Sequence, residues 1–200
     1  MAKKKRKPYL RLWVKPDLDE YAAINWYTNA NTVFYDAFGP DSNFFIDILS
    51  ATSPRLQVKA NLRLAVRVFK AYKYRGHNPQ LLGDILGRLM PAHLNNVLRV
   101  FAGNPLQGPK VSRFAENLKG NLSVVTIDMW ICRAYGIGAK RLTPLQYDRL
   151  EKKIQGEAYA ENLLPAQYQA LIWYAARRRG GYVTDQSFIR HSQEILGELV

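Results

Sequence analysis

Two side chains in this sequence set an amine and a carboxylate at the two ends of one predicted helix and the loop after it. Lys110 closes the Pro/Gly turn "NPLQGPK" (104–110), and Asp128 follows the apolar run "LSVVTI" (122–127). A lysine amine attacks an electrophilic carbon and forms a Schiff base when desolvation or neighbouring cations keep it partly neutral. A carboxylate beside a carbon of oxocarbenium character stabilises the developing charge or orients an attacking water. Each residue also has a plain structural use. Lys110 can contact a phosphate where a turn meets a helix, and Asp128 is well placed as the N-cap of the next helix. The spacing leaves both uses open.

These residues need a scaffold, and 200 residues supply one sizeable domain or two small lobes. Apolar content of 48% with 22% charged residues is that of a globular chain. No apolar run approaches the roughly 18 residues that cross a bilayer, and no apolar stretch follows the basic N-terminus as in a secretory signal. The single cysteine, Cys132, excludes an internal disulfide and any cysteine-based zinc or iron–sulfur centre. His77, His93 and His191 have no metal-ligand spacing, so neither metal nor cofactor is expected. The expected setting is reducing and intracellular: cytoplasm, host nucleoid, or nucleus in a eukaryotic context. Net charge is +13, and five of those charges are Lys3, Lys4, Lys5, Arg6 and Lys7. The other eight belong to the body, and an excess of that kind favours a polyanionic partner through counterion release.

The pattern of elements is helical. A basic tail covers residues 1–8, and 9–14 reads as a short strand or an extended arm. Helices are expected between about 17 and 38, closed by Gly39-Pro40-Asp41, and again over 42–51 from Ser42. Ser53 and Pro54 read as the N-cap and first residue of a helix with an apolar stripe at Leu56, Ala60, Leu64 and Phe69. Arg55, Lys59, Arg63, Arg67 and Lys70 give that helix a wet, positive face. Two short helices follow, the second opening at Pro91 and ending at Gly103-Asn104-Pro105. Another covers about 109–119. The run 122–127 reads as a buried loop, and a helix resumes after Asp128. Thr143 to Gln146 has the spacing of a capping box opening a helix to about Ile154. Pro165 opens the next helix, and a last one runs from Thr184. The fold class is all-α.

The helix pair 91–102 and 109–119 forms a helix-hairpin-helix, whose loop amides and second helix meet a phosphate. With Asp128 added, the segment resembles the helix-hairpin-helix DNA glycosylase superfamily, of the endonuclease III and 8-oxoguanine glycosylase type. There a hairpin of the form L-P-G-V-G-x-K is followed, after a helix and a loop, by an aspartate in a V-D-x-x-V-x-R context. Pro105, Gly108 and Lys110 match the first motif; Ile127-Asp128 and Arg133 match the second, with no gap between Lys110 and Asp128. Residues 44–69 look like the family's early helix pair, and the resemblance spans about 42–138. Leu106 departs from it by replacing the hairpin's first glycine. The iron–sulfur cysteines are absent, and the turn glutamine that helps fill the duplex gap has no counterpart near Ala51-Thr52. These departures mark a divergent member, of the kind a phage or mobile element carries.

The resemblance implies a glycosylase-like helical bundle with a basic N-terminal arm, formed by a single unit over 9–200. Its core is 42–138, with the hairpin at 91–119, and 9–41 packs with 139–200 as a second lobe. It implies a DNA N-glycosylase, with or without AP-lyase activity, that flips a damaged or modified base out of duplex DNA for base excision repair. Lys110 and Asp128 would be catalytic. Pro105, Leu106, Gln107, Gly108, Pro109, Arg113 and Arg133 would bind DNA. Trp130 and Tyr135 would wall the base pocket, with Trp26 and Tyr27 as further candidates. Two rivals stand beside it: a non-catalytic DNA-binding protein that keeps the hairpin, and an enzyme that modifies DNA bases on the same fold.

Overall fold

Proline and glycine punctuation sets most of the helix boundaries. The computed structural model describes residues 22–137, 142–181 and 187–197, and all regular structure among them is helical. The chain is therefore all-α, as its periodicities predict. The basic arm, residues 9–14 and Thr184 lie outside the described residues.

Helix α1 (Trp26–Phe38) ends in a single 3-10 turn at Gly39–Asp41, and α2 (Ser42–Thr52) follows directly. After α3 (Val58–Lys73) come α4 (Pro79–Gly87), α5 (Pro91–Phe101), α6 (Pro109–Leu118) and the short α7 (Met129–Ala134). The last three are α8 (Pro144–Ala160), α9 (Pro165–Arg179) and α10 (Phe188–Gly197). Proline occupies the first turn of α4, α5, α6, α8 and α9, where its missing N–H costs nothing and its φ is already helical. The capping box at α8 is present: Thr143 Oγ1 accepts from the Gln146 N–H at 3.3 Å, and Gln146 Oε1 accepts from the Thr143 N–H at 2.9 Å. That helix runs six residues past the expected Ile154.

The entry to α3 differs from the sequence reading. Ser53 continues the last turn of α2, its N–H bonded to the Ser50 carbonyl at 3.2 Å, and caps nothing. Arg55 then takes a left-handed conformation, φ +64°, which no helix can include. His93 of α5 fixes this turn through its Nε2, 2.8 Å from the Pro54 carbonyl oxygen. Helix α3 accordingly begins four residues after Pro54, and its buried stripe is Leu62, Ala65, Val66 and Phe69. Arg63 and Arg67 remain on the exposed face, as expected.

Helix α2 is central, buried against α3, α5 and α6. Helix α10 closes over α1 and α3. The buried apolar side chains fall into two clusters. One joins α1 to α6 with Ala166, Ala170, Phe188 and Ile195, and the other joins residues 125–134 with α8 and Tyr168, Ile172 and Ala176 of α9. This revises the expected lobes. The seam does not follow 42–138: α1 and α10 belong with α2–α6, while α7 belongs with α8 and α9. The reason lies in α9, which is apolar on two faces and offers one to each cluster.

Candidate active site

The site is built on the two ends of α6. At its start, the 102–108 hairpin is tied down by side chains of the helix before it. Asn96 clamps Gln107 in both directions, donating from Nδ2 to its carbonyl at 3.2 Å and accepting its N–H at 2.7 Å. Asn95 donates to the Gln107 side chain at 3.1 Å, and Arg99 Nε donates to the Pro105 carbonyl at 2.8 Å. Leu106, the residue that departs from the glycine of the hairpin motif, packs against the larger apolar cluster and anchors the loop. Gly108 sits at φ +108°, ψ +133°, a conformation open essentially to glycine alone. Lys110 is then the second residue of α6, on its first turn.

At the other end of α6, residues 119–128 form a strap with no regular structure, exposed at 119–121 and 123 and buried at 125–127, and it includes the loop expected over 122–127. A buried loop must find partners for its backbone, and side chains of α6 and α8 provide them. Asn117 Nδ2 donates to the carbonyls of Asn121 (2.8 Å) and Val124 (2.9 Å), and its Oδ1 accepts from the Thr126 hydroxyl at 2.8 Å. Glu151 Oε1 accepts the Val125 N–H at 2.8 Å. The Tyr147 hydroxyl donates to the Val125 carbonyl at 2.8 Å and accepts the Ile127 N–H at 3.0 Å. So held, the strap delivers Asp128 to the N-cap of α7.

Both oxygens of Asp128 are engaged. Oδ1 accepts the N–H groups of Trp130 (2.8 Å) and Ile131 (3.0 Å), and Oδ2 accepts the Trp173 indole N–H at 2.9 Å. The cap and the indole fix the plane of the carboxylate from two directions.

Lys110 and Asp128 line the same cavity, of about 90 Å³. Trp26, Phe114, Trp173 and Phe188 supply its aromatic walls, and Trp26 stacks obliquely on Trp173 and Phe188 with centroids 5.9 and 4.9 Å apart. Burial pushes the Lys110 amine below the ordinary lysine pKa, while the Asp128 carboxylate acts through space in the opposite direction. Desolvation wins, so the amine is easier to deprotonate than a surface lysine.

A family model matches residues 10–180. The chain belongs to that family, DUF7178, a family of unknown function. Neither a curated protein nor a solved structure matches the chain. The DUF7178 fold thus has to be interpreted from its own geometry.

The remaining predicted residues fall in different places. Pro105, Gln107 and Pro109 are exposed on the hairpin. Arg113 is drawn back onto the protein, 3.1 Å from both Glu151 and Glu116, so its guanidinium braces the strap. Arg133 is exposed and lies over the Trp130 ring at 4.6 Å. Trp130 and Tyr135 do not line the cavity. Helix α7 turns both away from it. Trp130 closes on Gly180, where an added Cβ would come within 2.9 Å of the ring, and Tyr135 donates to Glu157 at 2.5 Å. The two other aromatic candidates, Trp26 and Tyr27, do line it. Sequence reasoning missed Gln169 and Trp173, one turn apart on α9. The available signal was a glutamine, Gln169, directly before the apolar run "ALIWY" (170–174).

Among the described residues no three His, Cys, Asp or Glu side chains gather where a metal could be held, and no helix is long and apolar enough to cross a membrane.

Proposed function

We propose that the protein is a DNA N-glycosylase that takes an extruded nucleotide between Lys110 and Asp128. The carrying observation is that these two residues, 18 positions apart, converge on one aromatic-lined cavity in which the amine is desolvated. In this reading the neutral Lys110 amine attacks C1′ of the flipped nucleotide. The C1′–N bond breaks, its electron pair leaves with the base, and the base takes up a proton. The C1′–O4′ bond of the resulting aminal then breaks, its electron pair staying on O4′, which takes up the remaining proton of the lysine nitrogen, and the Schiff base so formed opens the way to strand cleavage. Asp128, oriented by Trp173 and the α7 amides, stabilises the positive charge that develops on the sugar. The hairpin supports the reading as a phosphate holder, since Gly108 and the Pro109 start of α6 face outward while Asn96 and Arg99 keep the loop in shape. The exposed Arg63, Arg67 and Arg133 suit a duplex backbone.

Borohydride trapping on duplex DNA carrying an abasic site and a panel of damaged bases tests this. The expected result is a covalent adduct lost in Lys110→Ala and reduced by about 10²–10³ in Asp128→Asn, the usual cost of removing one transition-state charge partner. Base release without an adduct would make Lys110 a phosphate contact and leave Asp128 as the catalytic group.

One observation favours a second reading, a DNA-binding protein without chemistry: both oxygens of Asp128 are used to hold α7 and Trp173, through three hydrogen bonds. Under it, Asp128→Asn lowers stability and leaves DNA affinity unchanged, and no adduct forms with any substrate.

A further inference from the structure

The cavity that holds Lys110 and Asp128 contains polar groups of two kinds. Most are committed to the protein. Asn61 donates to the Leu49 carbonyl at 3.0 Å and accepts the Thr52 hydroxyl at 2.7 Å, and the Thr126 hydroxyl is bound to Asn117. Besides Lys110, two are not committed. The Ser53 hydroxyl is buried and makes no hydrogen bond among the described residues. Gln169, only 3% exposed, uses its Oε1 to accept the Tyr27 hydroxyl at 2.8 Å, while its amide nitrogen bonds to nothing among the described residues. Buried polar groups that stay unpaired are expensive, and their usual explanation is a ligand or water. Of the two, the Gln169 amide faces the cavity, whereas the Ser53 oxygen is sealed behind its wall.

We infer that this cavity recognises a single-ring heterocycle through a carbonyl oxygen, with Gln169 as the residue that reads it and Tyr27 as the residue that aims Gln169. The claim rests on the glycosylase reading only for how the ring arrives. Burial pushes the Tyr27 hydroxyl well above the ordinary tyrosine range, so it remains a donor at any pH the protein meets. A permanent donor on one side holds the amide with its oxygen toward Tyr27 and its two N–H groups toward the cavity. Those N–H groups demand an acceptor. A carbonyl at the edge of an aromatic ring supplies one. Size sets the other limit. An apolar cavity of about 150 Å³ takes up benzene whole. A space of about 90 Å³ walled by Trp26, Phe114 and Trp173 is therefore suited to one ring whose edge remains at the mouth, and not to a fused pair. The class is an oxo-pyrimidine.

The test uses free bases, so that recognition is separated from excision. Saturation-transfer NMR with uracil and with hypoxanthine measures binding to the wild type, to Gln169→Leu and to the double variant Tyr27→Phe/Gln169→Leu. The double variant replaces both partners of the buried hydrogen bond by apolar groups of like shape, a change that is close to neutral for folding. Uracil is expected to bind the wild type, more tightly than hypoxanthine, and to lose about ten-fold or more in both variants. Tyr27→Phe alone keeps the reader but frees it to turn, and a smaller loss is expected. Uracil affinity unchanged in the double variant, hypoxanthine binding equal to uracil, or no uracil binding to the wild type overturns the inference. The two proposals fail separately. Uracil binding that depends on Gln169, with no base released from DNA, removes the glycosylase reading and leaves the recognition. Base release whose preference is the same in Gln169→Leu does the reverse.

Discussion

The hairpin before α6 and the strap after it solve one problem in two ways. Each is a stretch of irregular backbone whose polar groups need partners. The hairpin is exposed, so it takes a few side-chain bonds from Asn96, Arg99 and Ser112, and water can serve the rest. The strap is buried at 125–127, so Tyr147 satisfies two of its backbone groups, Glu151 takes the Val125 N–H, and Asn117 holds two carbonyls leading into it. The difference teaches what each is for. An exposed loop can meet a polyanion, and a loop held at its buried part by several side chains places a side chain reproducibly. Lys110 stands at the end of the first and Asp128 at the end of the second.

The sharpest way to break this contrast is to remove one partner of the strap. Glu151 is buried, holds the Val125 N–H and braces Arg113. Glu151→Leu leaves that N–H unpaired and takes one of two acidic partners from Arg113, which is one-third exposed and keeps Glu116. A loss of about 2–3 kcal/mol is expected in urea unfolding, with nucleic-acid affinity retained by the folded fraction. A variant as stable as the wild type would show that the strap does not depend on α8.

The hairpin should respond to backbone chemistry instead. At Gly108 an added Cβ meets nothing nearer than Val111 Cγ2 at 3.8 Å, so space is available and only the dihedral is costly. Gly108→Ala is expected to lose about 1–2 kcal/mol and to weaken duplex binding, read by fluorescence anisotropy at two salt concentrations. Stability lost with unchanged binding would separate the loop's shape from its function. Leu106→Ala comes next. Its side chain is half-buried against the larger cluster, and about 1 kcal/mol is expected from the removed methyl groups. The thermal midpoint measures it.

The contrast also explains what the sequence could and could not announce. Helix starts were legible because Pro79, Pro91, Pro109, Pro144 and Pro165 encode them locally. The α3 start was misread because the Pro54 turn is held from afar, by His93 39 residues away. The Lys110–Asp128 pair was legible as spacing. The aromatic walls were not, because they come from α1, α6, α9 and α10, and their convergence is a property of packing. Trp130 illustrates the limit: two residues from Asp128 in the chain, it points at Gly180 and away from the cavity. Trp173, 45 residues away, holds the carboxylate.

The smallest expected effect bears on how the two ends of α6 communicate, since Lys110 and Asp128 interact through space without touching. The Lys110 amine titrates below the ordinary value of 10.5 because burial disfavours its charge, and Asp128 partly restores it. Between the folded and unfolded pKa values the unfolded chain binds the extra proton, so the burial penalty is full below the folded value and is relieved as pH rises toward 10.5. Competitive acetylation of Lys110, followed by mass spectrometry across a pH series, reads the amine directly and requires no enzymatic activity. Its midpoint is expected below the ordinary lysine value, and lower still in Asp128→Asn, which deletes the charge that opposes deprotonation. An upward shift in that variant would mean that removing the cap lets α7 swing aside and rehydrates the amine. The strap would then tune Lys110 by excluding water, and the carboxylate's own field would be the lesser influence.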